Sequence, residues 1–276
     1  QAFCRLGSKV FIIQDTPLFL PKEERDAVQL LSDAFARDGI EIHLNTTITE
    51  VRKDGLQKVV DLVTDDYRSI LVADEILAGI GRVPNVDGLG LELAGVEYDA
   101  LSGIRVNDFL QTTNPKIYAA GDVCLEHKFT HTADAAARIV IQNALFLGRQ
   151  RLSHLRIPWC TYTDPEIAHV GMYVRQAQEQ GISVKSFTIP MHDVDRAITD
   201  SEERGFVKIH VKEGTDRILG ATIVGHHAGE MINEVTLAMV ANIGLRKLSR
   251  LIHADLNTGE AFKKEDDGLN RTRLNT

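Results

Sequence analysis

Residues Leu110–Val123 read LQTTNPKIYAAGDV: an extended lead-in broken by Pro115, then a short apolar run, Ile117–Ala120, that stops abruptly at Gly121-Asp122. An apolar run ending in Gly-Asp predicts a buried strand whose C-terminal end opens into a ligand crevice. Gly121 has no Cβ, so backbone there can come close to a bound group. Asp122 then offers carboxylate oxygens to hydroxyl donors. The Gly-Asp pair alone is equally compatible with an ordinary strand and turn.

The whole string is more specific. It resembles the second flavin-contacting motif of the FAD-dependent pyridine nucleotide–disulfide oxidoreductases, the family of dihydrolipoyl dehydrogenase, glutathione reductase and mercuric reductase. The resemblance implies that Asp122 holds the ribitol chain of FAD. The helix expected next, His131–Gly148, is alanine-rich and could turn its N-terminal amides toward the flavin. There the resemblance places the backbone of Thr130 at an FAD contact. His131 reads as a helix-start histidine bonding its surroundings, since neither spacing nor a partner marks it as a base.

Working toward the N-terminus, Gly79-Ile80-Gly81-Arg82-Val83-Pro84-Asn85 combines two glycines, which permit a tight crossing beside a ligand, with a proline that forces an extended exit. Followed by Gly88-Leu89-Gly90-Leu91, it resembles the family's crossover from the NAD(P) domain back to the FAD domain. Gly81 then falls where the family places a glycine near the nicotinamide nucleotide, and Ile48 where an apolar residue lies by the adenosine half.

Further upstream, Gln1–Gly7 reads as the last turns of a helix and Lys9–Ile13 as a buried strand. In a Rossmann unit a strand and a GxGxxG loop precede that helix, so the expectation is a chain that begins inside a dinucleotide-binding domain. The residue closing this strand decides between NAD and NADP: an acid binds the ribose 2′-hydroxyl, and a nearby arginine accepts a 2′-phosphate. Gln14, followed by Asp15, can bond a hydroxyl but carries no charge, and leaves the coenzyme open. Pro21-Lys22-Glu23-Glu24 predicts a helix start, with acids where they suit the dipole. Its apolar face is Ala27, Val28, Leu31, Ala34 and Phe35, and its stop is Gly39. Strands are expected at 40–44, 47–51, 59–63, 70–73 and 76–78, with Asp54-Gly55 as a hairpin turn.

Beyond residue 154 the pattern changes. Strands are expected at 184–189, 205–211 and 218–224, then helices at 229–242 and 245–252. Val207, Ile209 and Val211 alternate with Lys208, His210 and Lys212, which predicts an antiparallel sheet with one wet face. With TDPEIAHVG and ILGATIVG, this order resembles the family's interface domain, which pairs two subunits. Met231, Val235, Leu237, Met239 and Val240 supply more apolar surface than one small domain covers, and a homodimer is the expectation. The fold expected is thus α/β plus α+β: residues 1–80 from an NAD(P)-binding Rossmann-like domain, 81–153 a returning segment of the FAD domain, and 154–276 an antiparallel-sheet interface domain.

In the family this last domain closes on a histidine and, five residues later, a glutamate that orients it for proton transfer. Here Glu260 matches the glutamate, but the residue five before it is Asp255, where mercuric reductases carry tyrosine; His253 aligns with an earlier, non-catalytic position. An aspartate, ordinarily titrating at about 4, is a poor base at neutral pH unless burial raises it.

The bulk numbers set the outer limits. The 276 residues carry a net charge of −8 with no basic block, which argues against nucleic acid. No apolar run approaches the ~20 residues of a membrane span and no secretory pattern opens the chain, so a cytoplasmic protein is expected. The three cysteines, Cys4, Cys124 and Cys160, suit a reducing compartment and have neither metal-site nor redox-pair spacing. The resemblance implies a portion of a flavoprotein that passes electrons from NAD(P)H through FAD to a disulfide or thiol-bound small substrate, mercuric-reductase-like, its Cys-x4-Cys belonging to the family's N-terminal FAD region. The 276 residues alone are then expected to be inactive. The competing expectation is a catalytically incomplete dimerisation module.

Overall fold

The computed structural model describes residues 1–254 and 257–264. They form two compact units, one built from Gln1–Ile76 together with the chain from Pro158 onward, the other from Leu77–Ile157.

The first unit opens with helix α1 (Ala2–Arg5) and strand β1 (Phe11–Ile13); helix α2 (Arg25–Asp38) then returns the chain to β2 (Glu41–His43), parallel to β1 with Phe11 opposite Glu41. This is the βαβ turn of a Rossmann unit. The apolar residues expected on one face of α2 are all buried there. Gly39 stops it at φ 84°, with Gly39 N–H bonded to Ala36 O and Ile40 N–H to Phe35 O. The helix begins four residues later than Pro21 suggests, which leaves Glu23 and Glu24 outside its first turn.

A meander follows: β3 (Thr46–Asp54), β4 (Gln57–Thr64) and β5 (Tyr67–Ala73), all antiparallel. Its second turn is Asp65-Asp66, both at positive φ, the geometry of a two-residue hairpin loop. The strand expected at 76–78 is absent; those residues are irregular.

The second unit contains a two-strand ribbon, β6 (Tyr98–Asp99) and β7 (Gly103–Ile104), and helix α3 (Thr130–Leu145). The apolar run Ile117–Ala120 is not in a ladder. It turns back on the preceding residues through a single bridge, Gln111 to Tyr118, with Ala119 N–H bonded to Leu110 O. Its backbone partners are local, so it stays extended without becoming a strand.

The chain then rejoins the first unit as a five-stranded antiparallel sheet, ordered β10-β11-β12-β9-β8. In chain order these are β8 (Pro158–Thr161), β9 (Glu166–Gly171), β10 (Val184–Pro190), β11 (Phe206–Lys212) and β12 (Ile218–Gly225), with short helices α4 (Val174–Glu179) and α5 (Asp195–Thr199) between strands. Helix α6 (Ala228–Val240) covers one face and the short α7 (Leu245–Leu248) follows. Glu166 accepts the Gly229 N–H at 2.8 Å, so a strand side chain caps the start of α6. Met231 and Val235, expected to feed a dimer surface, are buried against this sheet, while Leu237 and Val240 stay exposed at 65% and 59%.

The other face of the sheet is not wet. Period-two alternation puts Ile167, His169, Phe206, Lys208, His210, Thr222 and Val224 on it together. Ile167, Phe206 and Val224 share a core with Ala27, Leu31 and Phe35 of α2. His210 is 1% exposed. Lys208 and His210 of the alternation meet Glu24, which arrives from a segment some 180 residues away in the sequence.

Candidate functional site

Asp122 sits in a loop whose backbone has little freedom. Gly121, at φ 83°, has its carbonyl taken by Cys124 and Leu125 N–H at 3.1 and 3.0 Å. A Cβ on it would stand 3.3 Å from the Ala133 Cβ in the first turn of α3. On its other flank, Val123 O accepts the Ile104 N–H at 2.8 Å, and β7 approaches so closely that a Cβ on Gly103 would lie 2.1 Å from Val123 O. The loop is therefore held between β7 and α3, with the Asp122 side chain 46% exposed at its tip.

Arg82 reaches that carboxylate: Nη1 lies 3.2 Å from Asp122 Oδ2 and donates to Lys128 O at 2.6 Å. Gly81, at φ 112°, immediately precedes it. The structure thus brings the GIGRVPN string to the Gly-Asp string. An exposed pair of this kind stabilises the fold by less than about 1 kcal/mol.

Thr130 is the first residue of α3, and no side chain caps that end. The ring planes of His127, Phe129 and His131 follow one another nearly parallel, with centroids 6.0 and 5.3 Å apart, on the approach to the helix. Thr132, 2% exposed, buries its hydroxyl without a hydrogen-bond partner. A helix start without a side-chain cap, an exposed acceptor, a cation beside it and a glycine that leaves room suit a ribitol and phosphate chain. The residues present fit a flavin.

Gln14, Ile48 and Glu260 belong to the other unit. Gln14 closes β1 and its carbonyl accepts the Thr46 N–H at 2.9 Å, which sets it at the start of β3, two residues before Ile48. Ile48 is half-exposed on β3 opposite Leu62. Glu260 opens a helical turn over residues 260–264, its N–H bonded to Asn257 O at 3.1 Å. Asp255 lies outside the described residues.

The histidine–carboxylate pair that the structure does form near this segment is His253 with Glu234 of α6, Nε2 to Oε1 at 3.0 Å. Its Nδ1 is buried without a partner, and the ring packs on Gly259, where a Cβ would come within 2.6 Å of Cδ2. Sequence reading missed this pair because the two residues are 19 apart on different elements. It also left Arg82 unassigned, although Arg82 carries the only charge in its string.

Two of the thiols, those of Cys124 and Cys160, are held in the poorly nucleophilic protonated form. Burial pushes the Cys124 thiol up to about 11. Burial and then the Glu166 carboxylate push that of Cys160 up to about 12. Among the described residues no group of three or more His, Cys, Asp or Glu side chains is placed to hold a metal, and no helix is long and apolar enough to cross a membrane.

Comparison with known proteins gives two matching family models. Pyridine nucleotide-disulphide oxidoreductase matches residues 1–138, and the dimerisation domain of the same family matches residues 157–265. A dihydrolipoyl dehydrogenase from Thermus scotoductus is 32% identical over 276 residues, which are 99% of this chain and 59% of that protein. A mercuric reductase from Streptomyces lividans is 34% identical over 263 residues, 95% of this chain and 55% of the relative. Among solved structures, the HOCl-induced flavoprotein disulfide reductase RclA from Escherichia coli superposes with a TM-score of 0.85 at 29% identity, over 95% of this chain and 60% of that one. The chain spans little more than half the length of the relatives it matches.

Proposed function

The chain belongs to the pyridine nucleotide-disulphide oxidoreductase family, and from that membership we propose that it supplies part of a flavoprotein that passes electrons from NAD(P)H through FAD to a disulfide or a thiol-bound small substrate, in the manner of a mercuric reductase. Members of this family are enzymes that bind FAD and use NAD(P)H. FAD supplies the two-electron relay between nicotinamide and substrate. In this reading residues 1–80 belong to the nucleotide domain, 81–153 to the flavin domain and 154–276 to the subunit interface.

The observation that carries the proposal is the Asp122 loop, clamped between Gly103 and Ala133 with its carboxylate exposed beside Arg82 and near the start of α3. Asp122 would accept from ribitol hydroxyls and the Thr130 backbone would donate to the ring system. In the first unit Ile48 would lie by the adenosine half of the coenzyme and Gln14 by its ribose; in the second unit Gly81 would lie near a nicotinamide nucleotide. The exposed Leu237 and Val240 of α6, with Leu251 and Ile252 beyond it, would meet a second copy in a homodimer. Glu260, with Asp255, would occupy the relay positions at the partner's site. The test is Asp122→Ala in the FAD-loaded protein: flavin should separate from it on gel filtration, and full retention of the yellow colour refutes the assignment.

A further inference from the structure

Gln14 is pinned at both ends of its backbone. Its N–H donates to His43 O at 2.9 Å and its carbonyl accepts from Thr46 at 2.9 Å. The side chain folds over the loop that follows: Nε2 donates to the Leu18 carbonyl at 2.6 Å and to Thr16 Oγ1. A carbonyl has no hydrogen to give, so the end of the amide facing Leu18 must be the NH2. Both of its hydrogens are then used within the loop. What remains is Oε1, an acceptor engaged by nothing among the described residues.

The charges around it point the same way. Asp15, the next residue, is exposed. Arg25 spends its guanidinium on three main-chain carbonyls, those of Phe19 at 3.0 Å, Leu20 at 2.5 Å and Glu23 at 2.8 Å. Lys9 pairs with Glu41 at 3.1 Å, and His43 lies 3.8 Å from the same carboxylate. Among the described residues, Lys22 is the one cation in the stretch from Gln14 to Arg25 that is not committed in this way.

An acceptor beside a carboxylate suits a group that donates. A ribose 2′-hydroxyl has a hydrogen to give, whereas a 2′-phosphate brings acceptor oxygens and negative charge. We propose that Gln14 is the specificity-determining residue for the coenzyme, reading its adenosine ribose as an acceptor only, so that the protein takes NADH in preference to NADPH. The inference rests on the dinucleotide reading above and goes past it by choosing between the two coenzymes.

The experiment compares binding of 5′-AMP and adenosine 2′,5′-bisphosphate to the purified protein by saturation-transfer NMR, together with kcat/KM for NADH and NADPH in the FAD-loaded enzyme. The expected result is a preference of about tenfold or more for the ligand with the free 2′-hydroxyl in both measurements. Gln14→Arg, which adds donors and charge at a partly exposed position, should narrow or invert that preference, and Lys22→Ala should leave it unchanged. Equal binding, tighter binding of the bisphosphate, or a preference that Gln14→Arg does not move would overturn the proposal. If neither adenylate binds and neither coenzyme reduces the flavin, the dinucleotide reading itself fails; a clear preference for the phosphorylated ligand sinks only the choice made here.

Discussion

Glu24 and His210 meet at 3.0 Å, carboxylate Oε1 against imidazole Nε2, with the histidine 1% exposed on β11 and the glutamate just before α2. Around this pair a polar network closes. Glu24 Oε2 accepts from Lys208 Nζ at 3.0 Å, Lys208 also reaches Asp26, and His210 Nδ1 bonds Ser186 at 2.8 Å. Beside it Glu23 accepts from Trp159 Nε1 at 3.0 Å and from Tyr173 OH at 2.6 Å. His169 stacks on Tyr173, centroids 3.7 Å apart, and bonds Thr222 at 2.8 Å. Adjacent glutamates thus fasten the βαβ turn to the five-stranded sheet, and both are satisfied on the buried side.

This network makes the first unit acid-labile in two steps. Burial alone would raise the Glu24 carboxyl, but the hydrogen bond from His210 and the charges of His210 and Lys208 outweigh it and hold it at about 2. A depressed carboxylate stabilises the fold above its unfolded pKa, about 4.5, and that contribution, on the order of 3 kcal/mol, is lost as pH falls toward 2. Burial drives His169 down to about 3, so the unfolded chain takes up its proton first and stability falls with acid from about 6.5 downward. Urea midpoints measured from pH 8 to 3 should begin to decline below about 6.5 and steepen below about 4.5. His169→Gln should remove the earlier phase and leave the later one, and a flat profile down to pH 4 would contradict the network.

Breaking the pair from one side should be destabilising. Glu24→Gln takes the carboxylate acceptor from buried His210 and leaves Lys208 with Asp26 as its remaining acidic partner, and should cost about 1–3 kcal/mol. Glu24→Gln, His210→Gln and the double variant form a cycle in which the coupling should exceed about 1 kcal/mol. Additive losses in urea unfolding would mean that the two residues act separately.

Why these acids escape a reading of the sequence is physical. Pro21-Lys22-Glu23-Glu24 has the composition of a helix start, and local chemistry cannot say whether a glutamate serves the dipole or a histidine on a remote strand. Period-two alternation in Phe206–Lys212 correctly gives an antiparallel strand, yet it reports only that two faces differ. Whether the polar face meets water or a buried carboxylate depends on chain from the other end of the molecule. The αβ turn and the buried face of α2 were legible because their determinants are local: helical periodicity and a left-handed Gly39. The Gly-Asp run fails as a strand for the converse reason, since ladders need partners that a short window does not contain.

The clamp on the Asp122 loop can be tested at Gly103. This residue has φ 92° and faces Val123 O at a distance that no Cβ tolerates. Gly103→Ala combines left-handed strain with a steric clash against backbone and should destabilise the second unit by at least about 2 kcal/mol. Gly121→Ala, at φ 83°, meets only the Ala133 methyl at 3.3 Å and should cost less. Thermal unfolding should rank them in that order, and flavin affinity should fall in the same order if the loop holds the cofactor. A reversed ranking would show that β7 does not set the loop.

The last prediction concerns the thiols, where burial decides the chemistry. With the Cys124 thiol held at about 11 and Cys160 at about 12, the thiolate fraction at pH 8 is on the order of 10⁻³ or less. Thiolate is the reacting species, so native-state alkylation of both by iodoacetamide at pH 8 should be slower than that of a free thiol by roughly two orders of magnitude. Cys160 has a second brake. Its sulfur lies 3.9 Å from the Glu166 carboxylate, which in turn caps Gly229 at the start of α6, so ionising the thiol would set two anions together at a helix terminus. Glu166→Gln should therefore speed labelling of Cys160 while leaving Cys124 unchanged, with digestion and mass spectrometry assigning each site. Labelling must be compared under conditions where circular dichroism shows both proteins folded, because loss of the cap also destabilises α6. Rapid alkylation of Cys124 or Cys160 in the folded wild-type protein would place a reactive thiol where burial says there is none.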